Sequence, residues 1–479
     1  MAEESLKKQT KKGLYWKFAE QFSNYGVQFI IGIFMARLLS PSDYGITALP
    51  AVFMAVAGIF VNGGFGQALV RKPDLKEEDL STAFIYSMVI GCLCYIILFF
   101  LSPLIAEFYN TPILKSLLRI TALSFIYSPI ATPQGVLLQR RLDFKTPAKV
   151  SVVVKILSGI IGIAMAFYGY GVWALVISGM FAGIVGQIIT ISIVRWYPKT
   201  GWSKDSFIYL WGFGNKIMGA WILSTIYENI SPLIIGKYYS PKQLGVYNRA
   251  EGYANMASKN VTVTLQSVTF PVLSKIQGDQ ERLGSSYRKM LRVTAFVVFP
   301  MMMILSALAR PLVITMITEK WESCIVLLQI MCFAMMWYPI HAINLNLLEV
   351  QGRSDLFLRL EIIKKIVGLI ILCSTLPFGL VFFCYGRVLS SLISLFINTY
   401  YTGKLINCGF ATQMKDMLHI IILSGVMYSV VVVMNTFIES YIWQIVIGLS
   451  IGALIYLGGA KLFDMKEVND VQFMIWRKK

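Results

Sequence analysis

Six polar residues recur at helical spacing inside an apolar stretch of this chain: Asn248, Glu251, Asn255, Lys259, Thr262 and Gln266. Intervals of three or four residues place them on one face of a helix roughly 27 Å long, with Arg249 close beside. The preceding apolar segment carries Lys216, Ser224 and Glu228, and the first one carries Glu20, Asn24 and Gln28. Lys155 and Arg387 lie deep in two further segments. Ionisable groups are costly in hydrocarbon, so they face a water-filled cavity or a partner. Basic residues outnumber acids at these depths, which favours an anionic substrate. A buried carboxylate can be discharged by a proton or bind Na⁺, which makes Glu228 and Glu251 candidates for coupling to an ion. Interhelical hydrogen bonding uses the same residue types. For Glu251 the simpler role is a local ion pair with Arg249 or Lys259.

No phosphate-binding loop, metal-ligand spacing or histidine-anchored nucleophile accompanies these residues, so neither ATP-driven nor covalent chemistry is expected. No cofactor and no metal are expected, and the chain reads as no enzyme. A polysaccharide polymerase or ligase would be expected to carry a large external loop with active-site residues. The connections here are short. The seven cysteines fall mostly in apolar segments as small packing residues. Of the two histidines, His341 lies mid-segment, where packing is the simpler role than titration.

The elements that must position the polar faces are membrane helices. Hydrophobic residues make up 56% of the chain, only 14% is charged and mean hydropathy is +0.65, which excludes an ordinary soluble domain. With about 20 apolar residues needed per crossing, fourteen spans are expected. They run 14–36, 44–69, 82–105, 115–138, 150–168, 172–194, 207–236, 243–273, 290–309, 323–348, 357–375, 379–402, 416–435 and 440–460. No cleavable signal peptide is expected before the first. Placing both termini in the cytoplasm puts 30 of the 43 Lys and Arg residues at cytoplasmic segments and leaves six outside, the bias that orients membrane proteins. The formal charge of +18 is therefore topology and attraction to anionic inner-leaflet lipid. Its spread over short loops argues against a nucleic-acid partner.

The chain also repeats itself. Arg37-Leu38-Leu39-Ser40-Pro41-Ser42-Asp43-Tyr44-Gly45 returns as Lys237-Tyr238-Tyr239-Ser240-Pro241-Lys242-Gln243-Leu244-Gly245. Pro129-Ile130 matches Pro339-Ile340, and Lys155-Ile156 matches Lys365-Ile366. Asn24 and Gln28 fall opposite Ser224 and Glu228. The expected organisation is two parallel six-helix repeats, 1–200 and 201–410, followed by two further helices and a cytoplasmic tail, 411–479. Duplicated bundles of this kind build many secondary transporters. The polar faces of the first, seventh and eighth spans would line the cleft between the two lobes. The last two helices read as a lipid-facing appendage or support.

The phrase at 37–45 resembles the bacterial polysaccharide flippases of the multidrug/oligosaccharidyl-lipid/polysaccharide exporter superfamily. So do Gly64-Phe65-Gly66-Gln67-Ala68-Leu69-Val70, Gln139-Arg140-Arg141-Leu142-Asp143-Phe144 and Gly169-Tyr170-Gly171-Val172-Trp173-Ala174-Leu175. Asn62 departs from the pattern, standing where an acid is expected before the glycine pair. The resemblance is strongest over the first six spans and closest to the lipopolysaccharide and exopolysaccharide branch. It implies an all-α, V-shaped transporter in the bacterial inner membrane. Its substrate would be undecaprenyl-diphosphate-linked oligosaccharide, moved from the cytoplasmic to the outer leaflet. Membrane lipids, polysaccharide polymerase or export machinery, and a coupling ion (H⁺ or Na⁺) are the partners it suggests. On that reading Lys216, Arg249, Lys259, Lys155 and Arg387 hold the diphosphate, and Asn24, Gln28, Ser224, Asn255 and Gln266 line the cavity. The alternative is an ion-coupled multidrug antiporter of the same superfamily, which would want an acidic cavity for cationic drugs. Neutralising Lys216, Arg249 or Lys259 is expected to cripple transport with membrane insertion intact. Full transport activity in Ala or Gln variants at all three positions would overturn the assignment.

Overall fold

A transmembrane backbone has no water to bond with, so its polar groups must be satisfied within helices or closed barrels. The computed structural model takes the helical solution throughout. It describes residues 2–470, without the side chains of 2–15, 17–19, 22, 264, 265, 267, 268, 270 and 271, and no strand occurs among the described residues. Lys17, a polar position of the first span, thus lies outside the described side chains.

Fourteen long helices follow one another. They are α1 (Ala2–Leu38), α2 (Pro41–Arg71), α3 (Glu77–Phe108), α4 (Ile113–Arg140), α5 (Lys145–Phe167), α6 (Val172–Val194) and α7 (Lys204–Tyr238). Then come α8 (Pro241–Lys275), α9 (Gln280–Ala307), α10 (Cys324–Val350), α11 (Ser354–Thr375), α12 (Leu380–Ile406), α13 (Phe410–Asn435) and α14 (Tyr441–Leu462). A short helix, Ala309–Ile317, precedes α10. Left-handed Gly63 and Gly64, with φ of 55° and 71°, break α2 near its end. Ten of these helices are both long and apolar enough to cross a membrane: α2 to α6, α9, α10 and α12 to α14. The other four, α1, α7, α8 and α11, have 37, 35, 35 and 22 residues. They fall short on apolarity, because they carry polar and charged side chains within the helix. The expectation of fourteen crossings thus meets ten helices that satisfy length and apolarity, and four that satisfy length alone.

The helices gather into two compact units, one ending at Gly245 and the other beginning at Val246. In the first, α1 lies along α5 and α5 along α6, while α7 packs against α2 and α3. Phe65, Leu69, Ala83 and Leu210 form part of its interior. Loops expected on one side of the membrane meet at one end of this unit. The Arg140 guanidinium donates to the carbonyls of Leu69 (3.2 Å), Lys72 and Pro73 (2.9 Å), and Trp196 Nε1 donates to Glu77 Oε1 at 2.8 Å. At the other end Lys237 Nζ donates to the Phe108 carbonyl at 2.6 Å.

The two copies of the repeated phrase are built alike and touch. Ser40 caps α2 through Asp43, whose carboxylate accepts from the Ser40 amide at 2.8 Å. Ser240 and Gln243 make the matching pair at the start of α8, at 3.1 and 3.3 Å. Proline follows each cap, where its missing N–H costs nothing. A Cβ at Gly45 would sit 1.7 Å from the Pro241 carbonyl oxygen, and one at Gly245 would sit 1.8 Å from that of Pro41. The contact is reciprocal, and only hydrogen fits at either position.

In the second unit α9 and α10 are the most deeply buried spans. The final pair, α13 and α14, joins it: α13 lies along α9, and Tyr456 of α14 donates to the Phe296 carbonyl at 2.8 Å. Fully buried Gln413 donates to Tyr287 Oη (3.2 Å), Asn344 Oδ1 (3.0 Å), Thr402 Oγ1 (3.1 Å) and the Cys408 carbonyl (3.0 Å). Arg288 holds Asp416 through two bonds of 2.6 Å, and Arg292 meets Glu467 at 3.1 Å. The last two helices are therefore bonded into the unit by side chains as well as by apolar packing.

Gly45→Val is expected to lower stability by about 1–3 kcal/mol or more, because the Pro241 backbone must move. Gly26→Ala, where an added Cβ meets nothing within 4 Å, should be neutral or stabilising. Thermal unfolding of the purified protein in detergent compares the two, and equal midpoints would contradict the contact.

Candidate functional site

The polar face of α1 is held by α5. Ser151 Oγ donates to Asn24 Oδ1 at 3.0 Å, and one turn on Lys155 Nζ donates to Gln28 Oε1 at 3.4 Å. An amide oxygen binds the ammonium without cancelling its charge. On α7, Lys216, Ser224 and Glu228 are all exposed on the helix surface. The helical interval of four keeps Ser224 and Glu228 on one face, with Lys216 two turns earlier.

In the second unit the polar stripe of α8 divides into three kinds of residue. Arg387 of α12 donates to Glu251 Oε1 at 2.9 Å, with the two side chains 24% and 20% exposed. Arg387 is a partner to which no local spacing points; for Glu251 the sequence suggests a local pair with Arg249 or Lys259. Those two cations meet aromatic faces. The Arg249 guanidinium carbon lies 5.2 Å from the ring centre of Trp321 and 5.6 Å from that of Tyr253, and Lys259 Nζ lies 5.7 Å from that of Tyr338. A ring quadrupole attracts a cation yet leaves its formal charge in place. The remaining members are neutral. Thr262 bonds back to the Ser258 carbonyl at 2.8 Å, which satisfies it within its own helix. Gln266 Nε2 reaches Asn346 Oδ1 at 3.3 Å, and Asn255 Oδ1 is buried without a hydrogen-bond donor among the described residues.

The structure thus brings together Asn24, Gln28 and Lys155 in the first unit, and Glu251 with Arg387 in the second. Lys216, Ser224 and Glu228 stand on α7 apart from the α1–α5 pair. The rings that hold Arg249 and Lys259 are the residues that reading the sequence missed. Tyr253 is one turn from Arg249 and could have been found by spacing. Trp321 and Tyr338 lie far along the chain. Fully buried Trp321 ends a short turn that follows Thr318, whose φ is 76°, so no local pattern points to it. Lys364 of α11 pairs with Glu361 inside the helix. Arg119, by contrast, serves structure: it bonds to Ser102 Oγ at 2.9 Å and lies 3.8 Å over the Phe99 ring. His341 bonds to Ser391 and Asn398 at 3.1 and 3.3 Å, as a packing histidine does.

Comparison with known proteins agrees with this architecture. Teichuronic acid biosynthesis protein TuaB of Bacillus subtilis (strain 168) is 24% identical over 355 residues, 74% of this chain and 73% of that protein. Succinoglycan biosynthesis transport protein ExoT of Rhizobium meliloti (strain 1021) is 24% identical, covering 66% of this chain and 64% of its own. Among solved structures, lipid II flippase MurJ in an inward closed conformation aligns with a TM-score of 0.75 at 18% identity, over 95% of this chain and 100% of that one. A multidrug resistance MATE family transporter in an inward-facing conformation aligns at 0.61 and 12% identity, over 80% and 95%. These likenesses establish the fold. The polysaccharide biosynthesis protein family model matches residues 34–326, well over half of the chain, and the chain belongs to that family.

Proposed function

We propose that this protein is a flippase that carries polyprenyl-diphosphate-linked oligosaccharide from the cytoplasmic to the outer leaflet of a bacterial inner membrane, by alternating access. The family supports the substrate class, as do relatives named for teichuronic acid biosynthesis and succinoglycan transport. One observation carries the reading furthest. Arg249 and Lys259 rest on aromatic faces and keep their charge, whereas the one strong acid of the α8 stripe, Glu251, is matched by Arg387. The stripe is left net cationic in a helix of a membrane protein. A diphosphate cannot enter hydrocarbon unaided, since an unpaired buried ion costs many kcal/mol. Cations that lie on rings can turn toward phosphate oxygens when the diphosphate arrives. Lys216 and Lys155 are the further cations assigned to the diphosphate, and Asn24, Gln28, Ser224, Asn255 and Gln266 the neutral polar residues assigned with them.

Both termini lie in the cytoplasm on this reading, at the basic ends of the two units. Membrane lipids surround the helices, and a polymerase or export machinery would draw off the product outside. If H⁺ or Na⁺ drives the cycle, Glu228 is the better candidate, because Glu251 would have to leave Arg387 before it could take up a cation.

Two measurements follow. Deleting the gene is expected to trap lipid-linked oligosaccharide in the inner leaflet with loss of one surface polysaccharide. Unchanged glycan with new sensitivity to cationic dyes would instead establish the drug-antiporter alternative. Glu251→Gln and Arg387→Gln should each lower thermal stability by about 1–3 kcal/mol, below the full buried-pair cost because both groups are partly solvated. The double variant should recover most of the loss, while simple additivity would show that the pair is not coupled.

A further inference from the structure

Within the first unit, α1, α4, α5 and α6 line an open cavity of about 580 Å³ at the 139–149 end. That volume lies inside the roughly 300–1,000 Å³ range of small-ligand sites. Its chemistry is the reverse of the stripe on α8. The lining holds Glu20, Gln139, Thr146, Ser151, Gln187 and Thr190, and no lysine or arginine. Asp143, at its edge, accepts from the Thr146 amide and hydroxyl at 3.1 and 2.6 Å, which fixes the start of α5. Amides, hydroxyls and a carboxylate beside the Phe144 ring suit a neutral, hydroxyl-rich ligand, whose C–H faces pack on an aromatic ring while its hydroxyls bond to the walls.

Gly135 of α4 lines the cavity, and a Cβ added there would meet nothing within 4 Å. Next to it, Gln134 is fully buried, and its Oε1 accepts from the lining Gln187 at 3.3 Å. The Gln134 Nε2 donor has no hydrogen-bond acceptor among the described residues. A buried amide donor left over behind a polar wall is costly in a closed core and useful beside a ligand rich in oxygen.

We infer that this cavity is a recognition site for a neutral sugar of the lipid-linked oligosaccharide, next to Asn24 and Lys155 of the proposed diphosphate lining. The inference rests on the flippase reading and adds to it where the sugar is read.

The test uses the full chain in lipid nanodiscs and two probes. One is polyprenyl diphosphate bearing the oligosaccharide, purified from cells that make it; the other is the same lipid diphosphate with no sugar. Gly135→Trp, whose side chain enters open space, should weaken binding of the sugar-bearing lipid by about tenfold or more and leave the bare lipid unchanged. Gly135→Ala should bind both as wild type does. Gln139→Leu, on the same face of α4 one turn on, should repeat the selective loss if the Trp variant fails to fold. Unchanged binding of the sugar-bearing lipid, or equal loss of both probes, would overturn the sugar site and leave the flippase reading standing. Competition by tetraphenylphosphonium that is lost in Gly135→Trp would make the cavity a cation site instead. Wild-type protein that binds neither lipid would remove the flippase reading and this inference with it.

Discussion

A charge cannot stay unaccompanied in hydrocarbon, and most of the architecture follows from how this chain answers that constraint. Three answers are visible. Arg387 is paired with a carboxylate at Glu251. Arg119, Arg140 and Lys237 reach backbone carbonyls near helix ends. Arg249 and Lys259 lie on aromatic rings. The first two answers consume the charge or its hydrogen-bonding capacity, and they suit residues whose work is to hold helices and loops together. Ring contacts are not confined to the third group, since Arg119 and Lys237 also lie over Phe99 and Phe108 at 3.8 and 3.9 Å; on α8 they accompany the polar stripe of the helix.

The same constraint explains what could be read from the sequence alone. Helix positions were legible because a crossing needs a long apolar run, and α2 to α6, α9, α10 and α12 to α14 carry one. The stripe on α8 was legible because spacing of three and four residues is local information. The partners were not. Arg387 lies 136 residues from Glu251, and nothing in either segment announces the other. Trp321 was hidden for the same reason, as was the cavity around Gly135, whose walls come from four helices.

On the proposed reading, the two polar sites divide the chemistry of a single substrate. A polyprenyl-diphosphate-linked oligosaccharide has an anionic linker and a neutral, oxygen-rich head, and these want different surroundings. The cations of α8 would suit the first, and the amides and hydroxyls around Gly135 the second. Specificity for the sugar and grip on the linker can then change separately, which suits a family whose members are named for different polymers.

The reciprocal fit of Gly45 on Pro241 and Gly245 on Pro41 ties the two copies of the repeated phrase together. After a duplication the copies of a segment are ordinarily at liberty to drift, each answering to its own neighbours. Here each copy is the other's neighbour. A methyl gained at position 45 has to be accommodated at 241, and one gained at 245 has to be accommodated at 41. A change in one copy of the phrase is thus felt directly at the other, so these positions answer to each other as well as to their own helices.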